Sequence, residues 1–467
     1  MRHIIISIIA TLMAMAASAR QISPGEAQNI ASDFFNNGSV PGKAPRSAIR
    51  VAATSPQTLT PQPYYIFNAD NDAGFVIISG DDRARNILGY SDKGSFSAGK
   101  MPPQLEWLLS EYEKAIKTLP ANAPSPRQYV SRSTGQTTLL STQWGQSSPY
   151  NDKCPVVDGS RAVTGCVATA MAQVINYEKK SSRVAEIPEY WTDKVYMPNL
   201  PEYEFNFDNL DNDGIATLML YCGQSVRMNY SPLESGAIVQ DVPEALRKYF
   251  GWEQEVRFVE RANFNDEHWN RMVKEEISAG HPILYSAVNE SGGGHAFVID
   301  GTSDDYFHVN WGWDGYMDGY FSFQPFGSDN QSEYILMQGM VTTRDDDPSA
   351  DIITHGTTID GINYQLDEAS LSAMVLPLKN GEKYRGELII PSHINHQGST
   401  YTVSYFGPSA FVGCGHLESI FIPATIEKQE WSIFDGCDNL RKVDVEDMAA
   451  FIRLEVGGWW TGSPLWS

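Results

Sequence analysis

Two breaks in the hydrophobic pattern constrain this chain most, because neither segment can join a packed core. The stretch from Pro120 to Gln136 is rich in proline, serine, alanine and asparagine without periodicity, which is typical of a linker open to proteolysis. A second break lies at the acidic run from Arg344 to Pro348. At roughly 150 residues per domain, a chain of 467 residues has room for about three modules. We therefore expect modules at 20–130, 131–345 and 355–467, after a leader at 1–19.

The leader has the features of a secretory signal peptide. A basic start at Arg2 precedes an apolar run from Ile4 to Ala17, and Ala17-Ser18-Ala19 offers a small-x-small cleavage site. The alternative is a membrane anchor, but this run is shorter than the roughly 20 residues that cross a bilayer. We therefore expect a secreted or cell-surface protein without a membrane span.

Charge and cysteine content exclude several classes of partner. A net charge of −23 repels phosphate backbones and anionic lipids, so we expect no nucleic-acid partner. Five cysteines are few for a disulfide scaffold, and an odd number leaves at least one thiol free. No Cys/His spacing typical of zinc sites is present, so we expect no metal and no cofactor.

The first module alternates helical and strand patterns. Ala31, Phe34 and Phe35 share one face of an early helix. Two strand-like runs, residues 64–67 and 75–78, are separated by turn-forming residues, which predicts a β-hairpin. A second helix is predicted from apolar residues at helical spacing, at Leu105, Leu108, Leu109, Tyr112 and Ile116.

The third module contains an internal repeat of about 23 residues. Its first unit reads Phe411, Gly413, Cys414, Leu417, Ile420, and its second reads Phe434, Gly436, Cys437, Leu440, Val443. Such units stack, so we expect Cys414 and Cys437 in a buried ladder as thiols in preference to a disulfide. Over Tyr364 to Val445 the pattern resembles treponeme-type leucine-rich repeats of surface and adhesion proteins. That resemblance implies a short solenoid, capped by Trp459-Trp460, with a protein or cell-surface ligand.

The middle module carries a candidate nucleophile, Cys166. Apolar residues follow it at helical spacing, at Val167, Ala170, Met171 and Val174. The spacing predicts a helix that begins near Cys166, where unpaired N–H groups and the helix dipole favour a thiolate. The alternative is a structural cysteine that fills a gap in the core.

His295 is the candidate general base. Three glycines, residues 292–294, lead into it, and the apolar stretch after it predicts a buried strand. A histidine at the mouth of such a strand is held rigidly and can face a cleft, although a purely structural histidine is the alternative.

The surrounding segments supply candidate supporting groups. Asn310, at the end of a predicted strand, can orient the imidazole. Trp311 and Trp313 either shield that hydrogen bond or belong to the core. The segment 143–151 offers a side-chain amide for an oxyanion hole, beside the backbone N–H of Cys166.

Several motifs together resemble the streptopain family of papain-like cysteine proteases. They are W-G-Q-S-S-P-Y-N, T-G-C-V-A-T-A-M-A-Q, G-G-H-A-F-V-I-D-G and H-V-N-W-G-W-D-G, in the family's order. Upstream, G-F-V-I-I-S-G-D-D-R and I-L-G-Y-S resemble that family's inhibitory prodomain. The resemblance covers about Gln21 to Val341.

The resemblance implies an α+β architecture: a papain-like protease domain after an α+β inhibitory prodomain, followed here by the short leucine-rich-repeat solenoid. It implies Cys166 as nucleophile, His295 as base and Gln146 as oxyanion donor. Asn310, Trp311 and Trp313 all remain candidates for the third position, and Ser235, Gly236 and Gly294 match stretches near the substrate cleft. The expected function is a secreted cysteine endopeptidase, made as a zymogen, with protein or peptide substrates and its own prodomain as inhibitor.

Two other functions are alternatives to peptide hydrolysis. The repeats allow a second interpretation, a surface adhesin whose protease-like domain is only a scaffold, since a fold does not dictate a function. The presence of all four site residues argues against an inactive enzyme. A Cys/His pair can also transfer an acyl group to an amine, as in transglutaminase-like folds. Rapid alkylation of Cys166 would exclude the scaffold, and the mass of the products would separate hydrolysis from ligation.

Overall fold

The structure, a computed structural model, describes most of the three predicted modules. The described residues are 21–37, 49–51, 62–119, 137–252, 256–261, 266–288, 294–323, 338–342, 356–367, 370–379, 382–407, 410–430, 433–434, 436–452 and 455–457. The predicted leader, the linker at 120–136, the acidic break at 344–348, residues 292–293 and the Trp459-Trp460 cap lie outside them. The described helices are α1 (Pro24–Asn37), α2 (Pro103–Thr118), α3 (Cys166–Glu178), α4 (Asn212–Ser225), α5 (Val242–Tyr249), α6 (Asp266–Ser278) and α7 (Met448–Ile452).

The N-terminal module has the predicted helix, hairpin and helix. Its strands are β1 (Ile49–Val51), β2 (Tyr64–Ala69), β3 (Phe75–Ser79) and β4 (Ile87–Ser91). Strands β2 and β3 pair antiparallel with Tyr65 opposite Ile78, which confirms the hairpin. Helix α1 begins with a capping box, in which Glu26 N–H donates to Ser23 Oγ and Ser23 N–H donates to the Glu26 carboxylate.

A single sheet of eleven strands runs through both the N-terminal and the middle modules. The strands of the middle module are β5 (Thr137–Thr138), β6 (Val156–Val157), β7 (Ser160–Arg161), β8 (Arg183–Val184), β9 (Tyr190–Trp191), β10 (Tyr196–Met197), β11 (Tyr203–Glu204), β12 (Arg257–Glu260), β13 (Ile283–Val288), β14 (Gly294–Ser303), β15 (Tyr306–Asn310), β16 (Gly319–Phe321) and β17 (Gln338–Thr342). The sheet order is β1-β2-β3-β4-β16-β15-β14-β13-β17-β12, with β5 added beside β14.

The two modules join where β4 pairs antiparallel with β16. Tyr320 lies opposite Tyr90 and Phe321 lies opposite Gly89, and the Ser322 N–H donates to the Leu88 carbonyl at 2.9 Å. The sequence predicted two modules and gave no indication of this backbone ladder between them. Pairing between strands so distant in sequence leaves no local pattern, because each strand needs only its own alternation of buried side chains.

Helix α3 is the buried centre of the middle module. Its residues Val167, Ala170, Met171 and Val174 are all buried, as the spacing predicted. The helix packs against α4 on one side and against β13 and β14 on the other. Cys166 therefore stands at the start of a helix that touches the strand carrying His295.

The C-terminal module is built from strands stacked in parallel and antiparallel ladders. They are β18 (Thr357–Ile359), β19 (Ile362–Asp367), β20 (Ser372–Leu376), β21 (Gly386–Ile389), β22 (His393–His396), β23 (Ser399–Phe406), β24 (Leu417–Ile422), β25 (Lys428–Glu430), β26 (Lys442–Val445) and β27 (Glu455–Gly457). Strands β21, β24 and β26 form a parallel sheet with Leu388, Ile420 and Val443 in register.

The predicted repeat coincides with equivalent turns in this module. Phe411 and Phe434 stack with ring centroids 5.3 Å apart at 10°. The N–H of Cys414 donates to Phe411, and the N–H of Cys437 donates to Phe434, so both cysteines occupy the same turn of their units. All five cysteines of the chain are described, and all are free thiols.

Candidate active site

Gly165 sets the direction in which the chain enters α3. Its φ is 86°, a conformation that L side chains rarely adopt. A Cβ atom here would lie 2.7 Å from the Ser235 carbonyl oxygen and 2.8 Å from Met228 Cε. A glycine is therefore required for the loop around Ser235 to approach the first turn of α3 this closely.

Cys166 is the first residue of α3 and is half-buried. Burial raises the pKa of the Cys166 thiol, and the Glu234 carboxylate raises it further. The backbone N–H groups of Ala296, Val167 and Cys166 itself lower the pKa, but the net shift is upward. The helix start thus favours an anion, as the sequence predicted, yet desolvation outweighs it. In this state the sulfur keeps its proton.

His295 is the second residue of β14 and pairs with Ala287 of β13. The ring is half-buried, and burial lowers the pKa of His295 to about 4. Ala296 directly follows His295 and belongs to the core cluster against which Cys166 packs, and its N–H lowers the pKa of the Cys166 thiol, so the structure brings the two predicted reactive residues into one neighbourhood. Within the described part of the chain, no hydrogen bond joins the Cys166 sulfur to the His295 ring.

Asn310 is buried at the end of β15 and its amide is bonded away from the imidazole. Its Nδ2 donates to the Thr142 carbonyl at 2.8 Å and to Gln173 Oε1 at 3.2 Å. Its Oδ1 accepts from Gln173 Nε2 at 3.1 Å and from the Gly312 N–H at 3.0 Å. Among the described residues, the ring of His295 is not a partner of this amide.

Trp311 is fully buried and takes part in the core next to the site. Its indole N–H donates to the Met317 carbonyl at 3.0 Å, and its backbone N–H donates to Asp318 at 3.0 Å. Burial raises the pKa of Asp318 to about 6. Trp313, two residues on, is half-buried against the same core. In the described residues neither indole is hydrogen-bonded to His295.

Gln146 lies beside the start of α3. Its carbonyl accepts from the Thr164 N–H at 3.1 Å, two residues before Cys166. Its side-chain amide is half-buried and has no hydrogen bond to any described residue, so it can turn toward a substrate carbonyl. The preceding Gly145 touches Asp314, whose carboxylate would lie 2.6 Å from a Cβ atom there.

The predicted substrate residues lie on two sides of the same opening. Ser235 is buried, and its Oγ donates to the Val163 carbonyl at 2.7 Å, so its side chain fixes the loop. Gly236 exchanges backbone hydrogen bonds with Asn229, at 2.8 and 3.2 Å. Gly294 opens β14 directly before His295 and is half-buried.

The N-terminal module also reaches the site, which local sequence patterns had not indicated. Gln104 on α2 is buried, and its Nε2 donates to the Trp311 carbonyl at 3.1 Å. The Tyr112 hydroxyl lies 2.6 Å from the Ser322 carbonyl, and Ser91 Oγ donates to the Asp318 carbonyl at 2.7 Å. The only sequence signal was the resemblance of this module to an inhibitory prodomain.

Neither a metal centre nor a spanning helix is found in the part of the chain that the structure describes. No group of three or more His, Cys, Asp or Glu side chains there is arranged to hold a metal ion. None of its helices combines the length and apolar character needed to cross a membrane.

Comparison with solved structures defines the class of protein. The structure of a fragment of Prevotella intermedia prointerpain A matches with a TM-score of 0.53 and 32% identity, covering 64% of this chain and 99% of that one. That structure is a fragment of the precursor, prointerpain A. The chain therefore has a papain-like cysteine protease fold preceded by a prodomain, as expected from the sequence.

Sequence comparison defines the family. Residues 144–321 match the Peptidase C10 family and residues 19–116 match the Spi protease inhibitor family. Streptopain of Streptococcus pyogenes is 33% identical over 296 residues, which are 55% of this chain and 73% of streptopain. The thiol protease/hemagglutinin PrtT of Porphyromonas gingivalis is 28% identical over 291 residues, covering 33% of PrtT. The chain belongs to the Peptidase C10 family and is a cysteine protease with an inhibitor-like prodomain.

Proposed function

We propose that the chain is a secreted cysteine endopeptidase in which Cys166 is the nucleophile and His295 the general base. One observation carries the proposal: Cys166, at the start of α3, packs against the core cluster that contains Ala296, the residue next to His295, and the Ala296 N–H lowers the pKa of the Cys166 thiol. The signal peptide predicted at 1–19 supports export.

In the proposed reaction the Cys166 thiolate attacks a peptide carbonyl. Its own backbone N–H and the free Gln146 amide stabilise the oxyanion, because both lie at the same end of α3. His295 protonates the leaving amine and then activates water, which hydrolyses the thioester. Ser235, Gly236 and Gly294 are proposed to line the cleft that receives the substrate backbone.

The precursor keeps both reactive groups uncharged. Burial raises the pKa of the Cys166 thiol and lowers the pKa of His295 to about 4, so the proton remains on sulfur at neutral pH. A thiolate–imidazolium pair becomes favourable only when the environment of the pair is rearranged. We infer that release of the prodomain allows this rearrangement.

The proposed third-position residues differ in their contacts. Asn310 is bonded to Gln173 and Thr142, and the Trp311 indole is bonded to Met317. These contacts support indirect roles for both, through the packing around the strand that carries His295. Trp313 remains a candidate for covering the imidazole.

The proposed domains are a prodomain at 20–130, a protease at 131–345 and a repeat module at 355–467. Activation is proposed to occur by cleavage in the 120–136 linker, leaving a protease that starts between Tyr129 and Thr138. The stacked equivalent turns at Phe411 and Phe434 support a leucine-rich-repeat solenoid, whose proposed ligand is a protein or cell surface.

Replacement of the sulfur tests the proposal. The purified precursor with Cys166→Ala should neither cleave a peptide substrate nor process itself, as followed by fragment mapping and N-terminal sequencing. Cys222→Ala is the matched control, since Cys222 is a buried thiol on α4 in the same core cluster. The control should process normally, and cleavage by the Cys166→Ala precursor would refute the proposal.

A further inference from the structure

Gln173 lies where three segments of the candidate site meet. It is fully buried on α3, seven positions after Cys166 and therefore on the same helix face. Its Oε1 accepts from Thr142 Oγ1 at 2.8 Å, from the Trp144 N–H at 3.3 Å and from Asn310 Nδ2 at 3.2 Å. Its Nε2 returns a hydrogen bond to Asn310 Oδ1 at 3.1 Å. We call Gln173, Asn310 and Thr142 the amide hub.

Each segment that the amide hub joins carries a proposed reactive or binding group. Helix α3 carries Cys166 at its start, and the segment of Thr142 continues into Gln146. Strand β15, which ends at Asn310, pairs with the strand of His295, because Asn310 lies opposite Val298. The amide hub is therefore a fixed point shared by the nucleophile, the base and the oxyanion donor.

Directional bonds add to the apolar packing of α3, which alone does not define one position along the helix axis. The buried residues of this helix include Ala168, Ala170 and Ala172, which are small and pack without a preferred angle. The helix also begins without a side-chain cap. A satisfied buried amide pair has a narrow geometry, so it limits how far the helix can slide or rotate against the sheet.

We propose that Gln173 is a positioning residue that sets the distance between the Cys166 sulfur and the His295 ring. The proposal rests on the proposed function of those two residues. A misplacement of about 1 Å in an active site can cost about 100-fold in rate. Loss of the hub is therefore expected to lower kcat far more than it raises KM.

The test compares two buried glutamines. Gln173→Met keeps the length and volume of the side chain but removes its hydrogen bonds. Gln224→Met is the matched control, because Gln224 is equally buried on α4 and donates to the Pro188 and Pro198 carbonyls, away from the site. Each full-length precursor is matured with a trace of tagged wild-type enzyme, which is then removed. The measurements are kcat, KM, the thermal midpoint, and the pH dependence of Cys166 alkylation by iodoacetamide.

We expect Gln173→Met to lose more thermal stability than Gln224→Met because it removes more hydrogen bonds. Only Gln173→Met should also lose about 10- to 100-fold in kcat and shift the pH profile of alkylation. A kcat and a pH profile within twofold of the Gln224→Met control would overturn the proposal. If Gln173→Met does not fold, Thr142→Val decides: it deletes one hydroxyl of the hub and should still lower kcat several-fold, and an unchanged kcat overturns the proposal. A Cys166→Ala precursor run in parallel separates the two hypotheses, since its activity would refute the proposed function itself.

Discussion

The Tyr112 hydroxyl connects the prodomain to the protease, and its removal should weaken that connection by a calculable amount. Tyr112 is fully buried on α2, 3.0 Å from the Leu88 carbonyl of the prodomain and 2.6 Å from the Ser322 carbonyl of the protease. When the prodomain leaves, the hydroxyl can still donate to Leu88, and Ser322 gains water. Only the contact with Ser322 therefore counts toward association.

Tyr112→Phe should weaken the association of prodomain and protease only by the hydrogen bond to the Ser322 carbonyl. A hydrogen bond of this kind contributes about 1 to 1.5 kcal/mol net. Since about 1.4 kcal/mol corresponds to a tenfold change in an equilibrium constant, the open form of the precursor should become about 10 times more populated. The assay is the rate of Cys166 alkylation in precursors that also carry His295→Ala. This substitution is expected to prevent self-processing, and it is present both in the parent and in the Tyr112→Phe variant.

Tyr65→Phe provides the matched control for this prediction. Its hydroxyl donates to the Ile22 carbonyl at 3.0 Å, so both partners belong to the prodomain and the contact survives dissociation. The control should alkylate at the rate of the parent. Equal rates for Tyr112→Phe and Tyr65→Phe would show that the hydroxyl does not help to hold the prodomain on the protease.

Two further predictions concern buried or neighbouring carboxylates. Burial raises the pKa of Asp318 to about 6 from 3.8, so its contribution to stability is greatest at low pH and is lost as the pH rises through 6. In a Cys166→Ala background, the free energy of unfolding in urea should fall by roughly 2 kcal/mol between pH 4.5 and 7.5 relative to the Asp318→Asn variant. Parallel pH profiles of the two proteins would contradict this prediction. The Glu234 carboxylate raises the pKa of the Cys166 thiol, so Glu234→Gln should shift the pH profile of Cys166 alkylation to lower pH. The shift should be smaller in high salt because Glu234 is exposed. An absent or salt-independent shift would exclude this charge effect.

Local patterns predicted the elements that carry the site. The spacing of Val167, Ala170, Met171 and Val174 specified a helix from Cys166, and the apolar run after His295 specified β14. Both predictions rest on periodicity, which a sequence displays directly. The repeated turns of the third module were visible for the same reason, because each unit shows the same residues at the same offsets.

Contacts between distant segments could not be predicted in this way. The pairing of β4 with β16 depends on two strands that separately look like ordinary edge or core strands. The hydrogen-bond partners of Asn310 could not be predicted from the sequence either, because a buried amide at the end of a strand can bond to an imidazole, a glutamine or a carbonyl. The choice is made by the position of α3 against the sheet, which is a property of the folded core.

The continuous sheet has a consequence for how the enzyme becomes active. Cleavage in the 120–136 linker cuts the chain but leaves the β4–β16 ladder, the Gln104 bond to Trp311 and the Tyr112 contact in place. A cut prodomain should therefore stay bound as an inhibitor until it is displaced or digested. Its departure converts β16 into an exposed edge, whose free N–H and C=O groups can then pair with another extended chain. We therefore expect activation to require displacement or digestion of the prodomain after the cut, because the cut alone leaves these contacts intact.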